Sequence, residues 1–257
     1  MNSAVNTRYQ AFGIHLLLSI AVVSLLFILV FYVWYPTPFM ASEGTIDVVY
    51  LLIAVDVVLG PVLTLVVFNK KKKSLAWDLA VIAVIQLTAF SYGAQVLFTE
   101  RPLFLAFAGD RFVVVAASSI DLDQLSHPEL QSRPLIGPET VFVRIPQDRA
   151  LRSQVLTEVM QGGKDYEKRP EYFEPITPML KKIAASGTAA DRALQRDPQL
   201  GEVLAPILNV AENTMPGDIR LLAMKGGHRD MTVAMHQQDG TLLGIIDRVP
   251  WPLINGR

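Results

Sequence analysis

From about Ala11 to Trp34 the chain reads AFGIHLLLSIAVVSLLFILVFYVW, a run with no formal charge apart from a proton that His15 can take up. At ~1.5 Å of rise per residue a helix of this length covers roughly 30 Å or more, the thickness of a bilayer's hydrocarbon core. A cleaved signal peptide would carry a shorter apolar run, ~7 to 15 residues, and small residues at a cleavage site. Tyr-Pro-Thr-Pro-Phe-Met follows instead, so the segment reads as an uncleaved anchor.

Two more stretches of spanning length run from about Ile46 to Phe68 and from about Leu75 to Phe98, joined only by Asn69, Lys70, Lys71, Lys72, Lys73 and Ser74. So short a link keeps both helices in one hairpin, with four positive charges at its turn. Basic residues in short loops are retained in the cytoplasm, and the other short loop, Tyr35 to Thr45, carries only Glu43. The sequence therefore predicts a cytoplasmic lysine turn and N-terminus, with residues 35–45 and everything after residue 99 outside. Tyr32, Trp34, Tyr35 and Tyr50 fall near the outer boundary, and Phe68 and Trp77 near the inner one, as an aromatic belt requires.

Charge marks the same division. Of 23 basic and 24 acidic residues only nine precede Thr99, so an apolar part (residues 1–99) is followed by a water-adapted part (100–257). The predicted architecture is a three-helix transmembrane bundle followed by a soluble α+β domain. A net charge of -1 without a basic, aromatic-interleaved stripe gives no reason to expect nucleic acid. The absence of cysteine excludes disulfides, zinc-thiolate sites and thiol nucleophiles.

Among polar residues in the spans, Asp47 and Asp78 follow Thr45 and Ser74 as if in capped first turns, where the helix dipole favours a carboxylate. His15 lies near the cytoplasmic boundary and reads as an interfacial histidine. Asp56 is different, because a carboxylate in mid-span costs at least ~2.5 kcal/mol on insertion scales and needs a partner. By helical rise Asp56, Gln86 and Ser24 all lie ~17 to 18 Å from the cytoplasmic ends of their helices, so they form one polar layer if their faces point inward. Such a layer can rivet helices together or engage a partner. Gly60-Pro61 adds a special geometry one turn on, since Pro61 removes a helical hydrogen bond and crowds the carbonyl of Val57.

In the domain, residues 111–117 and 140–145 read as strands, 149–160 as an amphipathic helix stopped by Gly162-Gly163, and 180–185 and 200–211 as helices. Residues 219–224, 231–236 and 242–249 read as strands, the last two forming a hairpin across Gln237-Gln238-Asp239-Gly240. Gly227-His228-Arg229-Asp230 shares letters with a kinase catalytic loop but lacks its companions, and His228, Asp230 and His236 match no usual metal spacing. No catalytic, cofactor or metal site is expected. The stretch Lys164 to Pro175 mixes charge, aromatics and proline; Arg169 and Tyr172 within it are of the types favoured as interface anchors.

Several motifs resemble the type IV pilin accessory proteins of the TfpX/TfpZ kind, related to FimB fimbrial assembly proteins. They are Val33-Trp34-Tyr35-Pro36, Val55-Asp56-Val57-Val58-Leu59-Gly60-Pro61 with Leu63-Thr64-Leu65, Lys73-Ser74-Leu75 with Asp78-Leu79-Ala80, Gly163-Lys164-Asp165, Arg169-Pro170 with Tyr172, and Gly244-Ile245-Ile246-Asp247 with Pro250-Trp251. Residues 191–218 match nothing in that pattern. The resemblance implies an inner-membrane protein of a Gram-negative bacterium with a periplasmic domain. It also implies an influence on the assembly of the major pilin, with no enzymatic activity and no cofactor. Asp56, Gln86, Ser24, Gly60, Pro61, Arg169 and Tyr172 are the expected partner-binding residues on the reading of the residues themselves. A membrane enzyme that modifies pilin, for example by glycosylation, is the competing expectation. Membrane lipids are further expected contacts, and self-association stays open.

Overall fold

The computed structural model describes residues 7–130, 135–210 and 214–254. The chain divides into two compact units: Met1–Pro36 with Thr45–Glu100, and Thr37–Gly44 with Arg101–Arg257. The segment 37–44 between the first two spans thus belongs to the second unit, which sequence order alone does not tell.

The first unit is a bundle of three apolar helices, Arg8–Trp34, Thr45–Val67 and Leu75–Thr99, each long enough to cross a membrane. A capping box starts the first: the Thr7 hydroxyl accepts from the Gln10 N–H at 3.2 Å and the Gln10 side chain accepts from the Thr7 N–H at 3.0 Å. Its buried positions, Ser19, Val23, Leu26 and Val30, follow the i, i+4, i+7 stripe of one helix face. Leu17, Leu25, Val66, Ile85 and Leu87 point outward and are exposed, the apolar exterior that hydrocarbon solvent requires.

Two sequence details are corrected here. Thr45 is itself the first helical residue rather than the cap, because Gly44, at φ 68°, makes the turn before it. Tyr35, just past the end of the first span, is buried, 2% exposed, and donates its hydroxyl to the Leu97 carbonyl near the end of the third at 2.9 Å. The first span ends in a π-helical turn, Val30–Trp34, which brings Trp34 edge-on to Phe98. Ser74 makes no side-chain cap but donates to Asp78, which also holds Lys72 at 2.6 Å.

The second unit is an α+β domain around one mixed sheet. Its strands are β1 Pro102–Ala108, β2 Arg111–Ala116, β3 Glu139–Val143, β4 Phe173–Pro175, β5 Thr188–Ala189, β6 Ile219–Lys225, β7 Met231–His236 and β8 Leu242–Ile246. They run in the order β4-β3-β1-β2-β6-β7-β8, with β5 pairing β6. β1 with β3 and β2 with β6 are parallel, and the other pairs antiparallel. Alternation divides the core between the two faces. Leu105, Phe107, Leu222, Met224, Val233 and Met235 pack on one. On the other, Phe104, Ala106, Val141 and Val143 form one cluster, and Ile219, Leu221 and Ala234 another with the helices Ala190–Arg196 and Leu200–Val210.

The helix Arg149–Met160 ends as its glycines predict. Gly162 takes φ 86°, its N–H donates to the Val159 carbonyl at 3.0 Å, and the Gly163 N–H reaches the Glu158 carbonyl at 2.8 Å, a Schellman motif. The last strand stops at Ile246 rather than Val249, because Pro250 approaches and Arg248 turns to pair with Asp197 at 2.5 Å. Ala211, the expected end of its helix, lies outside the described residues.

Candidate functional site in the membrane bundle

The second span is not one regular helix. Between Thr45–Leu52 and Gly60–Val67 the backbone passes through a π-helical stretch, Ile53–Leu59, with Asp56 inside it. The cause lies in the sequence. In an α-helix the Asp56 carbonyl would accept the N–H of residue 60, but the Gly60 N–H is drawn back to the Val55 carbonyl. The next donor in reach, at residue 61, is missing because that residue is proline. The orphaned carbonyl is met from the third span, where Gln86 Nε2 donates to Asp56 O at 3.2 Å. Gly60 is what lets the amide in: a Cβ there would land on the Gln86 side chain.

Two of the expected residues of the polar layer, Asp56 and Gln86, are therefore together, at 5% and 9% exposure, with Gly60 and Pro61 buried beside them. Ser24 is not with them. It is exposed on the outer side of the first span, because five residues separate it from the inward stripe at Ser19 and ~100° per residue carries it round the helix. The inward face expected for Ser24 was not met. Ser19 takes the inward place. His15, one turn below, bonds Thr64 Oγ1 through Nδ1 at 2.6 Å, so it links the first two spans rather than reaching headgroups. The spacing of His15, Ser19 and Val23 at i, i+4 and i+8 was the signal that could have found this face.

A groove of about 290 Å³ opens here, walled by Leu18, Val22, Val23, Leu87 and Phe90, with His15, Ser19, Asp56 and Gln86 as its polar members. Asp56 Oδ2 is buried and has no hydrogen-bond partner among the described residues. Since buried polar atoms are nearly always paired, this oxygen is the feature of the bundle that its own fold does not account for.

In the domain, Arg169 and Tyr172 hold structure together. Arg169 Nε donates to the Lys164 carbonyl at 2.9 Å and its Nη2 bonds Glu158, which ties the 164–175 stretch to the preceding helix. Tyr172 packs edge-on against Tyr166. The residues of the Gly-His-Arg-Asp run and His236 go to separate neighbours. Gly227 donates to Glu43, the N–H groups of His228 and Arg229 to the Ser42 carbonyl, and Asp230 accepts from Trp251 Nε1. His236 contacts Asp239.

A three-span membrane bundle with a buried carboxylate on an apolar groove, followed by a mixed-sheet domain, defines a multi-pass membrane protein with one aqueous domain. The profile of the fimbrial assembly protein FimB family matches residues 3–44. The fimbrial assembly protein of serogroup I from Dichelobacter nodosus is 34% identical over 175 residues, covering 66% of this chain and 68% of that protein. Its serogroup E1 counterpart is 33% identical over the same coverage. The protein of serogroups C1 and C2 is 38% identical over 115 residues, or 44% of this chain and 88% of that one. The chain belongs to the FimB fimbrial assembly protein family. No solved structure matches it.

Proposed function

We propose that the protein is an accessory factor of type IV pilus biogenesis that binds the major pilin within the inner membrane and modulates its assembly into pili. The observation that carries this reading is the intramembrane groove with Asp56 on its wall, in a chain whose relatives are named for fimbrial assembly. An apolar helix of a pilin subunit can lie across the mouth of such a groove and pack side chains into it, since membrane helices associate through close packing and sparse polar contacts. The lysine turn keeps the N-terminus cytoplasmic and the α+β domain periplasmic on the positive-inside rule. The role is one of binding and needs no catalytic group.

The test is photo-crosslinking in a piliated strain from Val22 or Leu87, on the groove wall. A pilin adduct is the expected result, and adducts only with lipid would defeat the reading. A deletion strain should show altered pilus number with pilin of unchanged mass; a mass shift would point to a pilin-modifying enzyme instead. A reporter active only in the cytosol, fused after Arg257, should stay silent.

A further inference from the structure

We propose that Asp56 is the receptor for a positively charged nitrogen carried at mid-membrane depth by the helix of a partner protein lying in the groove. This rests on the docking reading above and adds the chemistry of the contact. Gln86 Nε2 is on the backbone carbonyl of residue 56 and His15 Nδ1 is on Thr64 Oγ1, while Asp56 Oδ2 is left without a partner.

The Gln86 amide donates to the carbonyl opened by Pro61 and also lies beside the Asp56 carboxyl, yet Oδ2 still has no partner among the described residues. What remains is a carboxyl group, 5% exposed, on the wall of an otherwise apolar groove. A carboxylate alone in hydrocarbon is costly, and so is an ammonium or guanidinium in mid-span; bringing the two together relieves both at once. At about 290 Å³ the space takes side chains, not a helix body, so the partner helix lies across the mouth and sends one long side chain in.

The experiment uses the full-length protein in phosphatidylethanolamine/phosphatidylglycerol nanodiscs, with a photoreactive residue in place of Leu87. The probes are synthetic leucine-alanine spanning helices bearing at their centre a lysine, an acetylated lysine or a leucine. The lysine helix should be captured about ten-fold more than the other two, and Asp56→Asn should erase the preference. Equal capture of all three helices, a lysine preference that survives Asp56→Asn, or adducts only with lipid or a second copy would overturn the proposal. If Asp56→Asn fails to insert, the acetylated helix on the wild-type protein decides, because acetylation removes charge and keeps length. Pilin capture scored in parallel separates the two readings. Pilin held equally by wild type and Asp56→Asn keeps docking and removes the charge pairing. A captured lysine helix without any pilin adduct does the reverse.

Discussion

Gln86 on the third span donates its side-chain amide to the backbone carbonyl of Asp56 on the second, at 3.2 Å, and Pro61 is the reason that carbonyl is open. This dependence can be measured. Gln86→Leu should cost about 1 kcal/mol of bundle stability, the ordinary value of an interhelical hydrogen bond in a membrane. In a Pro61→Ala background residue 61 regains its N–H, the helix can close on itself, and the same substitution should cost clearly less. Unfolding midpoints of the four proteins in a denaturant-detergent titration give the coupling; an unchanged cost in the alanine background would contradict the account.

Gly60→Ala runs against helix propensity. In an exposed helix the change would stabilise by up to ~1 kcal/mol, but here the added methyl meets the Gln86 amide. Gly60→Ala should therefore lower the unfolding midpoint, and Gly60→Ala with Gln86→Ala should recover most of the loss by opening the space. A midpoint raised by Gly60→Ala alone would show that the amide moves aside freely.

The segment 37–44 is held in the domain by an apolar anchor and a polar clasp. Phe39 is 7% exposed in the cluster with Phe107, Met224 and Met231, and Gly226 leaves no room for a Cβ against the Ser42 backbone. Phe39→Ala should cost ~3 to 5 kcal/mol as a core truncation. Gly226→Ala should release the segment more selectively, read as faster hydrogen exchange at the amides of His228 and Arg229, which donate to Ser42 O at 2.8 and 3.0 Å. Unchanged exchange would mean that the clasp tolerates the methyl.

The spans were legible because their period does not matter: length and lack of charge alone place them, and the ends at Trp34, Val67 and Thr99 agree with the sequence reading within a residue. The helix Arg149–Met160 was legible through its amphipathic spacing and glycine stop, and the strand β7 through its β-branching. β1 was not. Its residues PLFLAFA are almost continuously buried, and a strand covered on both faces shows no alternation to distinguish it from the apolar span just before it. β4 and β5 are too short to carry a pattern. At the site, Asp56 announced itself by charge and Gln86 by depth. Ser24 shows what depth leaves out, because rotation about a helix axis follows from packing. The clasp around Glu43 joins residues 184 positions apart, a relation that neither local periodicity nor composition records.

Two carboxylates of the domain should give its stability opposite responses to pH. Burial pushes the Glu43 carboxyl above its usual 4.5, with the Gly227 N–H, the Ser42 hydroxyl and nearby His228 only partly offsetting it. The folded protein then holds this proton at pH values where the unfolded chain has released it. The stabilisation is complete below about pH 4.5 and declines as pH rises through the raised value. Glu158 behaves the other way. Its bonds to Arg169 and then to Gln154 hold it below 4.5, so its contribution is present above that pH and lost as pH falls through the depressed value. Measured from pH 3 to 7, the stability of Glu43→Gln relative to wild type should climb on the acid-to-neutral side of 4.5, and that of Glu158→Gln should fall over the more acidic part of the range. Parallel curves would mean that the clasp leaves Glu43 as well solvated as an open surface carboxylate, and the burial invoked for it would be wrong.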